Sequence, residues 1–139
     1  MGVNLGDINF LAVIVAAVAT FFLGAVWYEP LFGKAWRKAH KYSEERLKAM
    51  QTRRPMPVFF AGLLACYVLA GFAMAMLVVR FNIDSAGAGI VLGLTLWIIA
   101  AAIQLTGWLS SDKPFAAFQI DAGYQLLYLP LIGAILGAW

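Results

Sequence analysis

One cysteine and one histidine are all that 139 residues offer of the side chains that build disulfides, zinc sites and haem pockets. Cys66 alone excludes an intramolecular disulfide, and His40 alone, in a basic stretch, leaves no Cys or His cluster for a metal. Charge is scarce too: Asp, Glu, Lys and Arg make up 12% of the chain, about half the share in soluble domains. Phosphate-cradling GxxxxGK[ST] and GxGxxG loops are missing, as is a GxSxG nucleophile elbow. Nor do the apolar segments supply a nucleophile, a base and an orienting group together. The sequence therefore implies no cofactor, no metal and no catalytic residue that can be named. No Lys or Arg precedes the first apolar segment, which is too long for a signal-peptide core and reads as a retained span. Gly2 fails the myristoylation pattern, because Gly6 stands where Ser or Thr is required.

What is abundant is apolar surface. The chain is 63% hydrophobic, with a mean hydropathy of +0.84, and a spanning helix needs about 20 mostly apolar residues. Four such segments fit, at about 9–28, 57–79, 87–109 and 115–139, with one longer loop at 29–56. The expected fold is all-α, an integral membrane bundle of four transmembrane helices forming a single domain over 1–139. Glu29-Pro30 is expected to end the first span, and Pro57 suits the first turn of the second. Arg80, Asn82 and Asp84, then Ser110 to Pro114, mark tight connections that force antiparallel neighbours.

The few charges are unevenly placed. Lys34, Arg37, Lys38, Lys41, Arg46, Lys48, Arg53 and Arg54 share the 29–56 loop with Glu29, Glu44 and Glu45, a net +5. The positive-inside rule puts this loop in the cytoplasm and both termini outside. Phe32, Trp36 and Ala39 recur at helical spacing while Lys34, Arg37, Lys38 and Lys41 point elsewhere. That pattern predicts a short amphipathic helix lying among the inner headgroups, in contact with anionic lipid. Ser43 followed by Glu44 and Glu45 predicts a second helix start. Beside two spans, so basic a loop is a topology signal and a lipid contact, not a nucleic-acid site.

Helices in lipid pack through small residues. Ala12, Ala16, Thr20 and Gly24 recur every fourth position in span one, Gly71 and Ala75 in span two, Gly89 and Gly93 in span three, and Gly133 and Gly137 in span four. Most fall in the outer half, where tight packing is expected. The two GxxxG pairs are also candidate faces between copies in a homo-oligomer.

Polar residues fall at the other end. Asp121, Tyr124, Gln125 and Tyr128 share one face of span four, Gln104 and Trp108 share one of span three, and Trp27, Tyr28 and Glu29 close span one. Together they predict a polar, aromatic-lined recess open to the cytoplasm. Asp121 lies some seven residues into its span, roughly 10 Å along the axis. An ionisable group at that depth is costly and faces the bundle interior with a partner. Either it fixes helix register by bonding Tyr28, Gln104, a backbone group or a Lys, or it binds a cation, a proton or a polar ligand. Pro130 is expected to bend span four and free the carbonyl of Leu126.

The run Gly24-Ala25-Val26-Trp27-Tyr28-Glu29-Pro30-Leu31-Phe32-Gly33-Lys34-Ala35-Trp36 resembles the signature of domain of unknown function 1761, a bacterial family of small membrane proteins. So do Ile120-Asp121-Ala122-Gly123-Tyr124 and Gly133-Ala134-Ile135-Leu136-Gly137-Ala138-Trp139. The resemblance covers nearly the whole chain, with Gly24, Trp27, Tyr28, Pro30, Gly33, Asp121, Gly133, Gly137 and Trp139 at its motif positions. It implies a four-helix architecture in the bacterial inner membrane and no nameable activity. The function expected is that of a small oligomeric membrane protein that binds or passes a small molecule, ion or lipid through the recess. The alternatives are a structural or partner-binding membrane protein, and a lipid-modifying enzyme with Asp121 or Glu29 as acid or base.

Overall fold

The computed structural model describes residues 2–139. After a 3-10 turn at Leu5–Asp7 come α1 (Phe10–Val26), a π-turn (Trp27–Leu31), α2 (Gly33–Ala39), α3 (Glu44–Arg53), α4 (Met56–Arg80), α5 (Ala86–Leu109) and α6 (Phe115–Ala138). Phe10–Leu31, Met56–Arg80, Ala86–Leu109 and Phe115–Ala138 are long and apolar enough to cross a bilayer. The chain is thus a multi-pass membrane protein. Exposed Leu11, Phe22, Leu69, Val91 and Ile103 give the spans the apolar outer surface that lipid requires.

Local chemistry sets the helix ends. The side chains of Asn9, Ser43 and Ser85 accept the amides of Ala12, Arg46 and Ala88 at 3.1, 3.2 and 3.3 Å, capping α1, α3 and α5. Two turns use left-handed residues, Lys41 at φ 56° and Asn82 at φ 51°. Beyond them the amides of Tyr42 and Ile83 reach back five residues to the carbonyls of Arg37 and Val78, at 3.0 and 2.9 Å. These bonds satisfy carbonyls that the ends of α2 and α4 would otherwise leave open.

The first span does not stop at Tyr28, as Glu29-Pro30 led one to expect. Pro30 has no N–H to give, and the chain widens into the π-turn, with Phe32 N donating to Trp27 O at 2.9 Å. The helix then folds back sharply at Gly33, where a Cβ would collide with the Tyr28 carbonyl. As a result α2 packs on the π-turn and on α6. This corrects the expectation that its aromatic face lies among the headgroups. Trp36 turns toward the bundle, where the Asp121 carboxylate accepts its indole N–H.

The last helix is the hub. Of its most apolar window 44% is buried, against 11% for α5, and α1, α4 and α5 all pack on it. Away from the basic loop the core is dry, built from Ala12, Val13, Ala16, Met74, Ala75, Leu129, Ile132 and Leu136. There α5 and α6 meet backbone to backbone. A Cβ on Gly89 would run into the Gly133 carbonyl, one on Gly93 into Leu129, and one on Gly137 into Ser85. On α4, a Cβ added to Gly71 would stand 3.3 Å from Val13. Both GxxxG pairs are therefore consumed within the chain, which corrects their reading as faces between copies. The short connection at Ser110 to Pro114 makes α6 the first surface that α5 meets. The proline at 130 sits inside one continuous α6, and Gly93 packs directly on that turn.

Candidate functional site

The polar centre begins with the backbone of α6. Trp27, in the π-turn, donates its indole N–H to the Ile120 carbonyl at 3.0 Å, and Trp97 of α5 donates to the Ala122 carbonyl at 2.8 Å. Two indoles thus grip the helix immediately before and after Asp121. Room for this comes from glycine: a Cβ on Gly123 would stand 3.2 Å from the Trp27 ring.

Three donors converge on Asp121 from the first span and α2. The Tyr28 hydroxyl and Trp36 Nε1 donate to Oδ1 at 2.7 and 3.0 Å, and His40 Nε2 lies 3.1 Å from Oδ2. Trp36 and His40 are one helical turn apart and present one face of α2, with their rings 4.6 Å apart. Tyr42, after the left-handed residue, stacks on His40 at 5.6 Å. On its far side His40 Nδ1 meets Lys113 Nζ at 3.0 Å. A charged lysine has only donors, so Nδ1 must accept, and the ring hydrogen sits on Nε2, directed at Asp121. The assembly is a chain of hydrogen bonds, Lys113 to His40 to Asp121, with opposite charges at its ends and an imidazole between.

Asp121 keeps 29% of its side chain exposed and His40 keeps 11%. Both border a cleft of 220 Å³ also lined by Gln104, Gly107, Trp108, Ser111, Lys113, Ala117 and Phe118. The cleft opens at the basic-loop end, beside the α5–α6 turn, where Trp108 Nε1 donates to the Lys113 carbonyl at 2.9 Å.

Below Asp121 lies a different layer. Tyr124 is buried, and its hydroxyl donates to the Thr20 carbonyl at 2.8 Å with the Tyr67 hydroxyl 3.0 Å away. Gly24 leaves the space it needs, since a Cβ there would be 2.7 Å from that hydroxyl. The ring of Tyr128 packs edge-on to that of Tyr67 at 5.7 Å.

The recess read from the sequence therefore splits in two. Tyr28, Gln104 and Trp108 share the open cleft with Asp121 or bond to it; Tyr124 and Tyr128 belong to the tyrosine layer, and Trp27 is a clamp. Glu29 is exposed and does not line the cleft. Gln104 and Gln125 each hold a buried amide oxygen with no hydrogen-bond partner among the described residues. Lys34, Arg37, Lys38 and Lys41 are exposed. Among the described residues no group of three His, Cys, Asp or Glu side chains could hold a metal.

Sequence reasoning missed Trp36 and His40 as partners of Asp121, Lys113 as the partner of His40, and Tyr67 as a partner of Tyr124. Signals existed for some. His40 lies four residues after Trp36, on the same helical face, and Tyr67 lies four before Gly71, on the packing stripe of α4. Nothing in the local sequence marks Lys113.

A family profile described as "Protein of unknown function (DUF1761)" matches residues 11–137. The chain belongs to that family. Comparisons with curated proteins and with solved structures give no match.

Proposed function

We propose that this member of the DUF1761 family is a non-enzymatic bacterial inner-membrane protein that takes up a small polar molecule from the cytoplasm into the cleft beside Asp121. The observation that carries the reading is the chain Lys113–His40–Asp121 at the edge of a 220 Å³ opening. A carboxylate kept only to lock helices has no need of a wetted edge, and here 29% of it is exposed. Orientation follows loop charge: the exposed Lys34, Arg37, Lys38 and Lys41 meet anionic headgroups of the inner leaflet.

Retention suits the geometry better than conduction. Tyr124 and the dry core of Met74, Val13 and Ile132 fill the bundle beneath the cleft, with exposures between 0 and 4%. Passage across the bilayer then requires helix movement or a second copy. A homo-oligomer would have to use faces other than the two GxxxG pairs.

The test is native mass spectrometry of protein released from near-native lipid. Wild type should retain a small molecule distinct from bulk lipid, and Lys113→Met should lose it while remaining folded. A bare protein, or one whose retained molecules are unchanged by Lys113→Met, would overturn the reading. The same spectra give the copy number.

A second reading rests on the origin of the donors. Tyr28, Trp36 and His40 all belong to the end of the first span or the helix after it. Asp121 would then be a staple that holds α2 on the bundle and sets the surface that the basic loop shows to a partner. Neutralising Lys34, Arg37, Lys38 and Lys41 together should in that case abolish the cellular phenotype, while Lys113→Met leaves it intact.

A further inference from the structure

The cleft has a charge pattern that selects among polar ligands. Asp121 Oδ1 accepts from both Tyr28 and Trp36, which fills its two lone-pair directions, but Oδ2 accepts only from His40. Among the described residues this leaves one acceptor direction of Oδ2 unused, and Asp121 and His40 both line the cleft. Lys113 Nζ spends one of its three donors on His40 Nδ1 and keeps two. The carboxylate and the ammonium do not touch each other. They are separated by an imidazole and its two hydrogen bonds, and both line the same opening.

From this we infer that the ligand is a small zwitterion with a primary ammonium and an anionic phosphate or carboxylate joined by a short spacer, of which phosphoethanolamine is the simplest probe. This rests on the cleft being a binding site. An ammonium donates to Oδ2, and the anionic group accepts from Lys113. A simple anion would satisfy Lys113 but stand against the Asp121 charge, and a simple cation would stand against Lys113. Each mismatch sets like charges against each other at close range across the mouth of the cleft. A ligand that carries both charges, each set beside its opposite, meets neither obstacle. Two sources share this chemistry: a soluble aminoalkyl phosphate from the cytoplasm, and the headgroup of a phosphatidylethanolamine from the adjoining leaflet.

The experiment is calorimetric titration of the full-length protein in nanodiscs of phosphatidylcholine and phosphatidylglycerol. Phosphoethanolamine, ethanolamine, inorganic phosphate and phosphocholine are titrated in turn. Phosphoethanolamine should bind at least tenfold more tightly than ethanolamine or phosphate. Phosphocholine keeps both charges but has no ammonium N–H, and should lose most of the affinity. Lys113→Met should erase the advantage of phosphoethanolamine over ethanolamine, and Asp121→Asn its advantage over phosphate. Lys113 is exposed, so its variant tests the idea even if Asp121→Asn fails to fold. Phosphatidylethanolamine added to the discs competes if the lipid headgroup enters the cleft and leaves the titration unchanged if only the soluble form does; both are consistent with the zwitterion. Equal affinity for all four probes, or binding of none, overturns it. In the latter case a different molecule retained in the mass spectrum and lost on Lys113→Met leaves the binding reading standing without this ligand class.

Discussion

At the end of the bundle away from the basic loop, α5 and α6 touch through Gly89, Gly93, Gly133 and Gly137, with carbonyls where side chains would otherwise lie. At the loop end, α6 is reached instead by long side chains: Trp27 and Trp97 to its backbone, and Tyr28, Trp36 and His40 to its one carboxylate. Both arrangements answer the same difficulty. Lipid tails are as apolar as leucine, so helices gain nothing by hiding leucine from them, and cohesion has to come from close van der Waals contact or from interhelical hydrogen bonds. Close contact needs small residues and leaves no space. Hydrogen bonding by indoles and phenols holds helices further apart and leaves a cleft. The dry half is therefore close-packed, and the polar side chains gather in the other.

That division can be broken most severely at the glycines. Gly133→Leu should have the largest effect, because the obstacle is backbone on both helices and cannot rotate away. The cost should exceed the ~1–3 kcal/mol of ordinary overpacking, read as loss of the folded band or of the thermal transition in detergent. Asp121→Ala should come next. It strips the partner from Tyr28, Trp36 and His40 together, at about 1–3 kcal/mol for each donor left dry. Hydrogen exchange should speed up over 33–42 while the 127–137 segment stays protected. Uniform deprotection of both segments would mean that the halves are one cooperative unit.

The border between the halves gives a finer test. Gly24→Ala places a Cβ against the Tyr124 hydroxyl, and Tyr124→Phe removes that hydroxyl along with its bond to the Thr20 carbonyl, worth about 1 kcal/mol. Thermal unfolding of the double variant should show less than the sum of the two single losses. Simple additivity would place Gly24 outside the tyrosine layer. The smallest effect is expected at Lys41→Gly, which relieves a left-handed residue by up to ~1 kcal/mol. Its contact with Asp112 at 3.7 Å, with side chains 62 and 93% exposed, offers little in return. A lower melting temperature for this variant would show that the turn before Tyr42 is held by more than its backbone.

Much of this was legible beforehand, and the residues say why. Four apolar runs of membrane length need no tertiary information, and the helices at 56–80, 86–109 and 115–138 start and stop within a residue of where Pro57, Arg80, Leu109 and Pro114 mark them. Asp121 stood out because an ionisable group inside an apolar run is conspicuous by itself. Less legible was the segment after Tyr28. Whether a proline stops a helix or widens it depends on what receives the next turn, and here a carboxylate from 93 residues away receives Tyr28. Glu29, next to Tyr28 in the chain, is a carboxylate like Asp121, yet it is exposed.

Four membrane-crossing helices, the end that carries the charge and the faces narrow enough for backbone contact can all be read along the chain. These are properties of short windows, set by transfer free energy and by the size of one side chain at a time. Three-dimensional packing alone brings the two GxxxG pairs together, divides the polar face of α6 into a tyrosine layer and an open cleft, and gathers His40 and Lys113 around Asp121. Those facts depend on the angle at which α2 returns over α6. A turn of backbone at Pro30 and Gly33 fixes that angle, and no periodicity along the chain encodes it.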